Sequence, residues 1–328
     1  MNAYFKLLRF QNLLFLAFSQ YLMFEVVLFP ILQTFGFETV FESGSMTLLI
    51  LATVLIAAGG NVLNDYFDVK IDLINRPDKV IVGNLIPRQA TMIYYQILTG
   101  LGILCGLYLA FIASSFTLCF IFIIVPGLLW FYSASYKRQF LTGNLIVAFM
   151  AALSILVVGI TQLAFLEKVY GNLIFETPIP SLFYGWIGGF ALFAFLCTWI
   201  REIIKDVEDE IGDREMECRT LPIKWGIPKT KLFLYALIIL TVAGLFIFNE
   251  FFIHFEGSLT IRYIIFGLAI PFIVLIYMIF AAKTVADFHQ ASTLSKVIML
   301  IGVLYSFVFY FLQAKMYGIS IFNLFILK

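Results

Sequence analysis

The sequence predicts an all-α polytopic membrane protein of nine transmembrane helices with one chemically active face. Three observations carry this. Of 328 residues, 62% are hydrophobic and only 12% charged, against about 45–50% apolar and about 25% charged in soluble domains. The apolar residues gather in runs long enough to cross about 30 Å of hydrocarbon as helix. The basic residues fall almost entirely on one side of those runs. A soluble enzyme, a disordered chain and a disulfide scaffold are excluded. A net charge of +1 offers no nucleic-acid surface. Cys105, Cys119, Cys197 and Cys218 show no metal-ligand spacing and read as packing. His254 and His289 stand too far apart in sequence for a zinc helix motif.

The runs cover 11–33, 45–67, 89–113, 115–134, 143–166, 181–205, 231–250, 260–282 and 295–316. They are apolar nearly all round, so Gly, Pro and charge set their ends rather than period. Lys6 and Arg9 ahead of the first run mimic a secretion signal. The run is long and no small-residue cleavage site follows, so it reads as a retained span. With nine spans, only Lys168, Arg262, Lys315 and Lys328 of the 21 basic residues fall on the side opposite the N-terminus. Basic loops stay in the cytoplasm. The active face is therefore expected to be cytoplasmic, in a plasma or inner membrane, with the C-terminus outside. A single domain, 1–328, is expected, with repeat-like halves around 45–90 and 181–231.

The repeat carries the chemistry. Asn64-Asp65-Tyr66-Phe67-Asp68-Val69-Lys70-Ile71-Asp72 and Asp206-Val207-Glu208-Asp209-Glu210-Ile211-Gly212-Asp213 share the spacing D-x-x-D-x-x-x-D. On a helix each trio falls within about 60° of arc. Four spans separate the trios, so both lie on the same side. They align without gaps, and Ile86-Pro87-Arg88 then matches Ile227-Pro228-Lys229. A lone charge at mid-bilayer costs about 2.5–3.5 kcal/mol or more and is functional by default. Six converging carboxylates repel one another and call for cations. Their oxygens suit Mg2+, which retains waters and takes phosphate oxygens as further ligands. With basic residues close by in sequence, this describes a diphosphate site above an apolar bundle. The substrate expected is a polyprenyl diphosphate, with membrane lipids around it. The rival class is a cation or lipid transporter, against which all six carboxylates lie at one face rather than at the midplane.

These motifs closely resemble those of the UbiA superfamily of intramembrane prenyltransferases, over essentially the whole chain. The resemblance implies a ring of nine helices with the motifs after helices 2 and 6. Arg9-Phe10-Gln11-Asn12 resembles the family's R-x-x-N start of helix 1, which implies that Asn12 reaches the cavity. Tyr132-Ser133-Ala134-Ser135-Tyr136-Lys137 resembles its Y-S-x-x-x-K segment. Lys79 stands where Arg is common, and Val82 replaces a small polar residue. Asp65, Asp68 and Asp72 would hold one Mg2+ beside Asn64. Asp206, Asp209 and Asp213 would hold a second or orient basic residues. Asp65, Asp68, Asp206 and Asp209 would serve catalysis. Arg76, Lys79, Lys137 and Arg138 would clamp the diphosphate, with Tyr132 beside them. Gly212-Asp213-Arg214 and Arg219-Thr220-Leu221-Pro222 are similar to a signature of digeranylgeranylglyceryl phosphate synthases, shared with chlorophyll synthases. That implies a geranylgeranyl donor, a lipid-like acceptor carrying a glycerol phosphate, and Arg214 and Arg219 on the acceptor phosphate. An aromatic quinone precursor and an isoprenoid alcohol are the alternative acceptors. Glu25 lies inside the first span. Asp287 and His289 read as a solvated loop, and Arg262 as an outer-interface marker.

Overall fold

The computed structural model describes residues 3–37, 40, 43–322 and 324–326, with the side chains of Lys79 and Phe325 also outside the description. Among the described residues there are nine helices long and apolar enough to cross a membrane. They are α1 (Phe10–Thr34), α2 (Ser43–Asn75), α3 (Arg88–Ile112), α4 (Phe116–Ala134), α5 (Thr142–Tyr170), α6 (Ile179–Glu208), α7 (Leu221–Phe252), α8 (Leu259–Ala281) and α9 (Val285–Tyr317). Consecutive helices pack side by side, and α9 returns against both α6 and α1, which closes a ring. The only strands among the described residues, Ser320–Ile321 and Phe325–Ile326, form a short antiparallel ribbon after α9.

Lipid tails are as apolar as leucine, so helices associate here through close packing and interhelical hydrogen bonds. One such bond set lies deep in the bundle. The fully buried Gln20 of α1 donates to the Ser154 carbonyl of α5 at 2.8 Å. Its own carbonyl accepts from the Thr53 hydroxyl of α2 at 2.8 Å. Large apolar side chains such as Phe111 and Phe116 point outward and are exposed, as a lipid-facing surface requires.

Three helices run further than hydropathy predicts, all at the end that carries the motifs. α2 continues to Asn75, eight residues beyond 67, so the whole first motif is helical. α7 starts at Leu221 and bends at Gly226, whose φ of +76° is left-handed. Pro228 follows the bend, where its missing N–H costs little because a helix is restarting. α9 starts at Val285 rather than 295. Thr284 and Asp287 cap it reciprocally, with the Asp287 carboxylate accepting from the Thr284 N–H at 2.8 Å. Asp287 and His289 therefore lie on the first turns of a helix, not in a loop.

The second motif is not one helical face. α6 ends at Glu208, Asp209 has φ −96° and ψ 7°, and a separate helix covers Glu210–Glu215. The i, i+3, i+7 arc predicted for Asp206, Asp209 and Asp213 is thereby broken at its middle member.

Candidate active site

The ring encloses a cavity of about 1110 Å3 that opens at the end carrying both motifs. Its lining on α9 runs from His289 to Val303 and on α1 from Arg9 to Met23. At a rise of about 1.5 Å per residue each is a depth of roughly 20 Å. The upper part is charged. The lower part is lined by Phe122, Ile155, Val157, Phe190, Met23 and others, and the Gln20–Thr53–Ser154 hydrogen bonds cross near its closed end. Such a space suits a charged head with a long hydrocarbon tail.

One wall of the mouth is the first motif. Asn64, Asp65, Asp68 and Asp72 all line the cavity from α2, as their helical spacing requires. Arg9 pairs with Asp65 at 2.5 Å from a left-handed backbone (φ +52°) just ahead of α1. A non-glycine residue held there costs of order 1–3 kcal/mol, and such strain gathers at functional sites. The Asn61 amide donates to the Leu8 carbonyl at 2.9 Å and pins this turn to α2. Lys137, on the single 3-10 turn Tyr136–Arg138, pairs with Asp68 and reaches Asn64 at 3.4 Å. Burial works against the charge of Lys137, but the Asp68 carboxylate outweighs it and lifts its pKa. Gly143 permits this placement: a Cβ there would come 2.9 Å from the backbone of Tyr136 and Lys137.

The second motif is presented differently. Asp209 lines the cavity and accepts from Arg76 at 2.9 Å, and Arg76 also reaches Glu208 at 2.7 Å. Asp206 and Asp213 stand behind the lining. Asp206 accepts from the Asn144 amide at 2.9 Å. Asp213 is buried, and burial pushes its pKa up to about 6, with the neighbouring Lys137 drawing it back. Burial likewise raises Asp209 against the pull of Arg76. Asn75 staples the break: its amide donates to the Asp209 carbonyl at 3.1 Å and accepts from the Gly212 N–H at 2.9 Å. Gly212 has no room for a side chain, since a Cβ would lie 2.6 Å from that amide.

Of the residues expected at the site, Asn12, Asn64, Asp65, Asp68, Asp72, Arg76, Tyr132, Lys137 and Asp209 line the cavity together. The structure does not bring Asp206, Asp213, Arg138, Arg214 or Arg219 to it. Arg214 is exposed and pairs with Glu210 one turn back, and Arg219 is held by a backbone bond to the Arg138 carbonyl at 2.8 Å. The side chain of Lys79 lies outside the described residues. Glu25 sits in a π-helical turn, Met23–Leu28, and is absent from the lining among the described residues.

The opposite wall holds Arg201, Lys205 and Lys296, which charge counting had used for orientation, together with Glu202 and His289, which it had not. Arg201, Glu202 and Lys205 come from α6 and His289 and Lys296 from α9. His289 Nδ1 lies 3.0 Å from Glu208. Helical spacing links Arg201 to Lys205 one turn on, but nothing in hydropathy joins them to Lys296.

The expectation of three carboxylates around one ion is not met as a ready-made cage: among the described residues, no three acidic groups stand close enough to hold a metal. Asp65 instead faces Arg9, Asp68 faces Lys137, Asp206 faces Asn144 and Asp209 faces Arg76. The donor set still fits Mg2+, which needs one or two carboxylates and completes its shell with water and substrate phosphate. Asp65, Asp68 and Asp72 offer oxygen donors only, in one layer open to the cavity.

The chain matches the family model described as UbiA prenyltransferase family over residues 27–293. It is 31% identical over 307 residues to the digeranylgeranylglyceryl phosphate synthase of Methanosphaera stadtmanae, covering 92% of this chain and 97% of that one. A structure described as giving structural and mechanistic insights into digeranylgeranylglyceryl phosphate synthase in membranes superposes with a TM-score of 0.60 at 24% identity, over 93% and 98% of the two chains. The structure of a UbiA homolog from Archaeoglobus fulgidus bound to DMAPP and Mg2+ gives 0.55 at 16% identity, over 93% and 99%.

Proposed function

The chain belongs to the UbiA prenyltransferase family, an integral, multi-pass membrane enzyme, and from that premise we propose that it transfers a geranylgeranyl group from its diphosphate to the glycerol hydroxyl of geranylgeranylglyceryl phosphate. The observation that carries the proposal is the cavity: about 20 Å deep in all by helix rise, with carboxylates and cations gathered in its mouth and an apolar shaft beneath them. The size, about 1110 Å3, exceeds the upper range of ordinary small-ligand pockets and leaves room for two lipid chains. The name of the Methanosphaera stadtmanae relative supports the acceptor.

In this reading the carbon–oxygen bond between the prenyl C1 and the diphosphate breaks, and its electron pair leaves with pyrophosphate. The allylic carbon then bonds to the glycerol oxygen, whose proton passes to the pyrophosphate. Asp65, Asp68 and Asp72 would hold Mg2+, which when bound neutralises charge developing on the leaving group. Arg9, Lys137 and Arg76 already face that layer and would turn from carboxylates to phosphate oxygens. Arg supplies a planar fork and Lys a point charge. The apolar shaft binds the tail and keeps water from the allylic carbon.

The test is turnover in membranes with labelled geranylgeranyl diphosphate, with and without EDTA. Product identified by mass as the diether phosphate, restored by Mg2+, is expected. Product on an aromatic or unphosphorylated acceptor alone would reject the acceptor, and full activity in EDTA would reject the metal. We also propose that the mouth faces the cytoplasm, on the segregation of Lys and Arg. Reporters inserted at 217 should read cytoplasmic and one at the C-terminus external.

A further inference from the structure

We infer that Arg201, Lys205 and Lys296 form a second anion subsite, separate from the diphosphate wall, that takes the phosphate of the acceptor. The inference rests on the acceptor proposed above. It begins with an imbalance of charge between the two walls. On the α1–α2 wall and at the break after α6, three cations have a carboxylate: Arg9 has Asp65, Lys137 has Asp68, and Arg76 has Asp209 and Glu208, while Lys6 at the same mouth is matched by Asp72, which also lines it without an ion pair among the described residues. Across the cavity, Arg201 and Lys205 share Glu202 alone, at 2.7 and 3.1 Å. Lys296 faces the same carboxylate and the same two cations from α9, and among the described residues it forms no ion pair. Three positive groups thus meet one carboxylate in direct contact, with Asp206 and Asp209 further off on the Lys205 side.

A second observation is independent of the charge count. The Nε–H of Arg201 is buried and has no acceptor among the described residues. An unpaired buried donor on a charged group is costly, and a small turn of the guanidinium toward the cavity would let a phosphate oxygen satisfy it. Ser292, beside Lys296 on α9, adds a hydroxyl to the same lining.

The position suits an acceptor. Arg201 lies seven residues from the mouth end of α6, and Lys296 eleven from that of α9. At about 1.5 Å per residue they sit roughly 10–16 Å into the bundle. Asp68 and Asp65, seven and ten residues from the end of α2, occupy the same layer by the same rise. A phosphate held by Arg201 and Lys296 would therefore stand across the cavity from a diphosphate at Asp65 and Asp68, with both tails in the shaft. Arg214 and Arg219, which the sequence offers for this role, are exposed and absent from the cavity lining among the described residues.

The experiment measures KM for donor and acceptor separately in wild type, Lys296→Gln, Lys205→Gln, Lys296→Arg and, for comparison, Arg214→Gln. Loss of one charged hydrogen bond should raise the acceptor KM of Lys296→Gln roughly tenfold to a hundredfold, with the donor KM unchanged and recovery in Lys296→Arg. Equal rises for both substrates would assign the cations to the diphosphate and overturn the subsite, as would a larger acceptor effect in Arg214→Gln. A thermal-shift measurement makes the question independent of turnover. With magnesium pyrophosphate present to fill the donor wall, glycerol 1-phosphate should raise the Tm of wild type and not of Lys296→Gln. Equal stabilisation of both, or of neither, would overturn the subsite. Stabilisation that depends on Lys296, in an enzyme that does not prenylate the glycerol phosphate lipid, would instead retain the subsite and reject the proposed acceptor.

Discussion

The two acidic motifs have the same spacing and opposite constructions. The first lies on an unbroken stretch of α2, so its three carboxylates share one face and line the cavity. The second begins on α6, breaks at Asp209 and ends on a six-residue helix, and of its three aspartates only Asp209 reaches the cavity, beside Glu208. Identical spacing becomes identical geometry only where the backbone stays helical. The second motif trades ligand density for attachment. Asp206 ties α6 to α5 through Asn144, and the break gives Asn75 and Arg76 something to hold. One motif presents charge, and the other largely builds the place where charge is presented.

The sharpest way to break this comparison is to remove matched carboxylates. Asp65→Ala or Asp68→Ala should lower turnover by at least about 100-fold, the scale of losing one strong electrostatic stabiliser. Both variants should still fold. Asp206→Asn keeps a hydrogen-bonding partner for Asn144 and should cost far less, within about tenfold on the scale of one neutral hydrogen bond. Pyrophosphate release in matched membranes reads both. Equal losses at Asp68 and Asp206 would show that the motifs act as a symmetric pair after all.

The next largest effect belongs to the staple. Asn75→Ala strands the Gly212 N–H, while the Asp209 carbonyl keeps its bond from the Asp213 N–H at 3.1 Å, at a cost of about 1–3 kcal/mol for the buried donor. Thermal unfolding in detergent should drop accordingly, and turnover with it as Asp209 and Arg76 drift. Gly212→Ala should produce the same pair of losses by steric means, because its new methyl would meet the Asn75 amide. A variant of Asn75 with unchanged stability and rate would mean that the break holds itself.

The ring and the first motif were legible because both depend on local rules. Nine apolar runs set nine helices, and a period of about 3.6 puts Asp65, Asp68 and Asp72 on one face. The rest depended on contacts between elements. No spacing rule marks Asp209 as a helix end, since its stop is enforced by Asn75 from another helix. Arg201, Lys205 and Lys296 looked like orientation charges because they stand at the predicted ends of spans 181–205 and 295–316, where hydropathy does not say which face they take. A cap at Thr284 and Asp287 extends α9 and carries His289 and Ser292 into the cavity wall above Lys296. That capping box is a sequence signature, and reading it would have moved the helix start. Arg214 and Arg219 were drawn toward the acceptor by proximity in sequence to Asp213, but Arg214 pairs with Glu210 on the short helix and neither residue lines the cavity among the described residues.

The smallest expected effect lies at the closed end of the shaft, where the same contrast between lining and support recurs. Thr53 and Ser154 line the cavity, and Gln20 lies outside the lining while bonding to both. Replacing Gln20 with Leu removes donor and acceptor together at similar volume. The Thr53 hydroxyl keeps its bond to the Leu49 carbonyl at 3.0 Å, so no hydroxyl donor is stranded there. The Ser154 carbonyl loses one of its possible partners only. Interhelical bonds of this kind in bilayers average about 0.6 kcal/mol, with a maximum near 1.7. Gln20→Leu should therefore lower stability by less than Asn75→Ala, and leave the acceptor and donor KM near wild type. Unfolding curves of the two variants side by side decide it. A larger loss at Gln20 would place the structural weight of the bundle beneath the tail rather than at the joint between the two motifs.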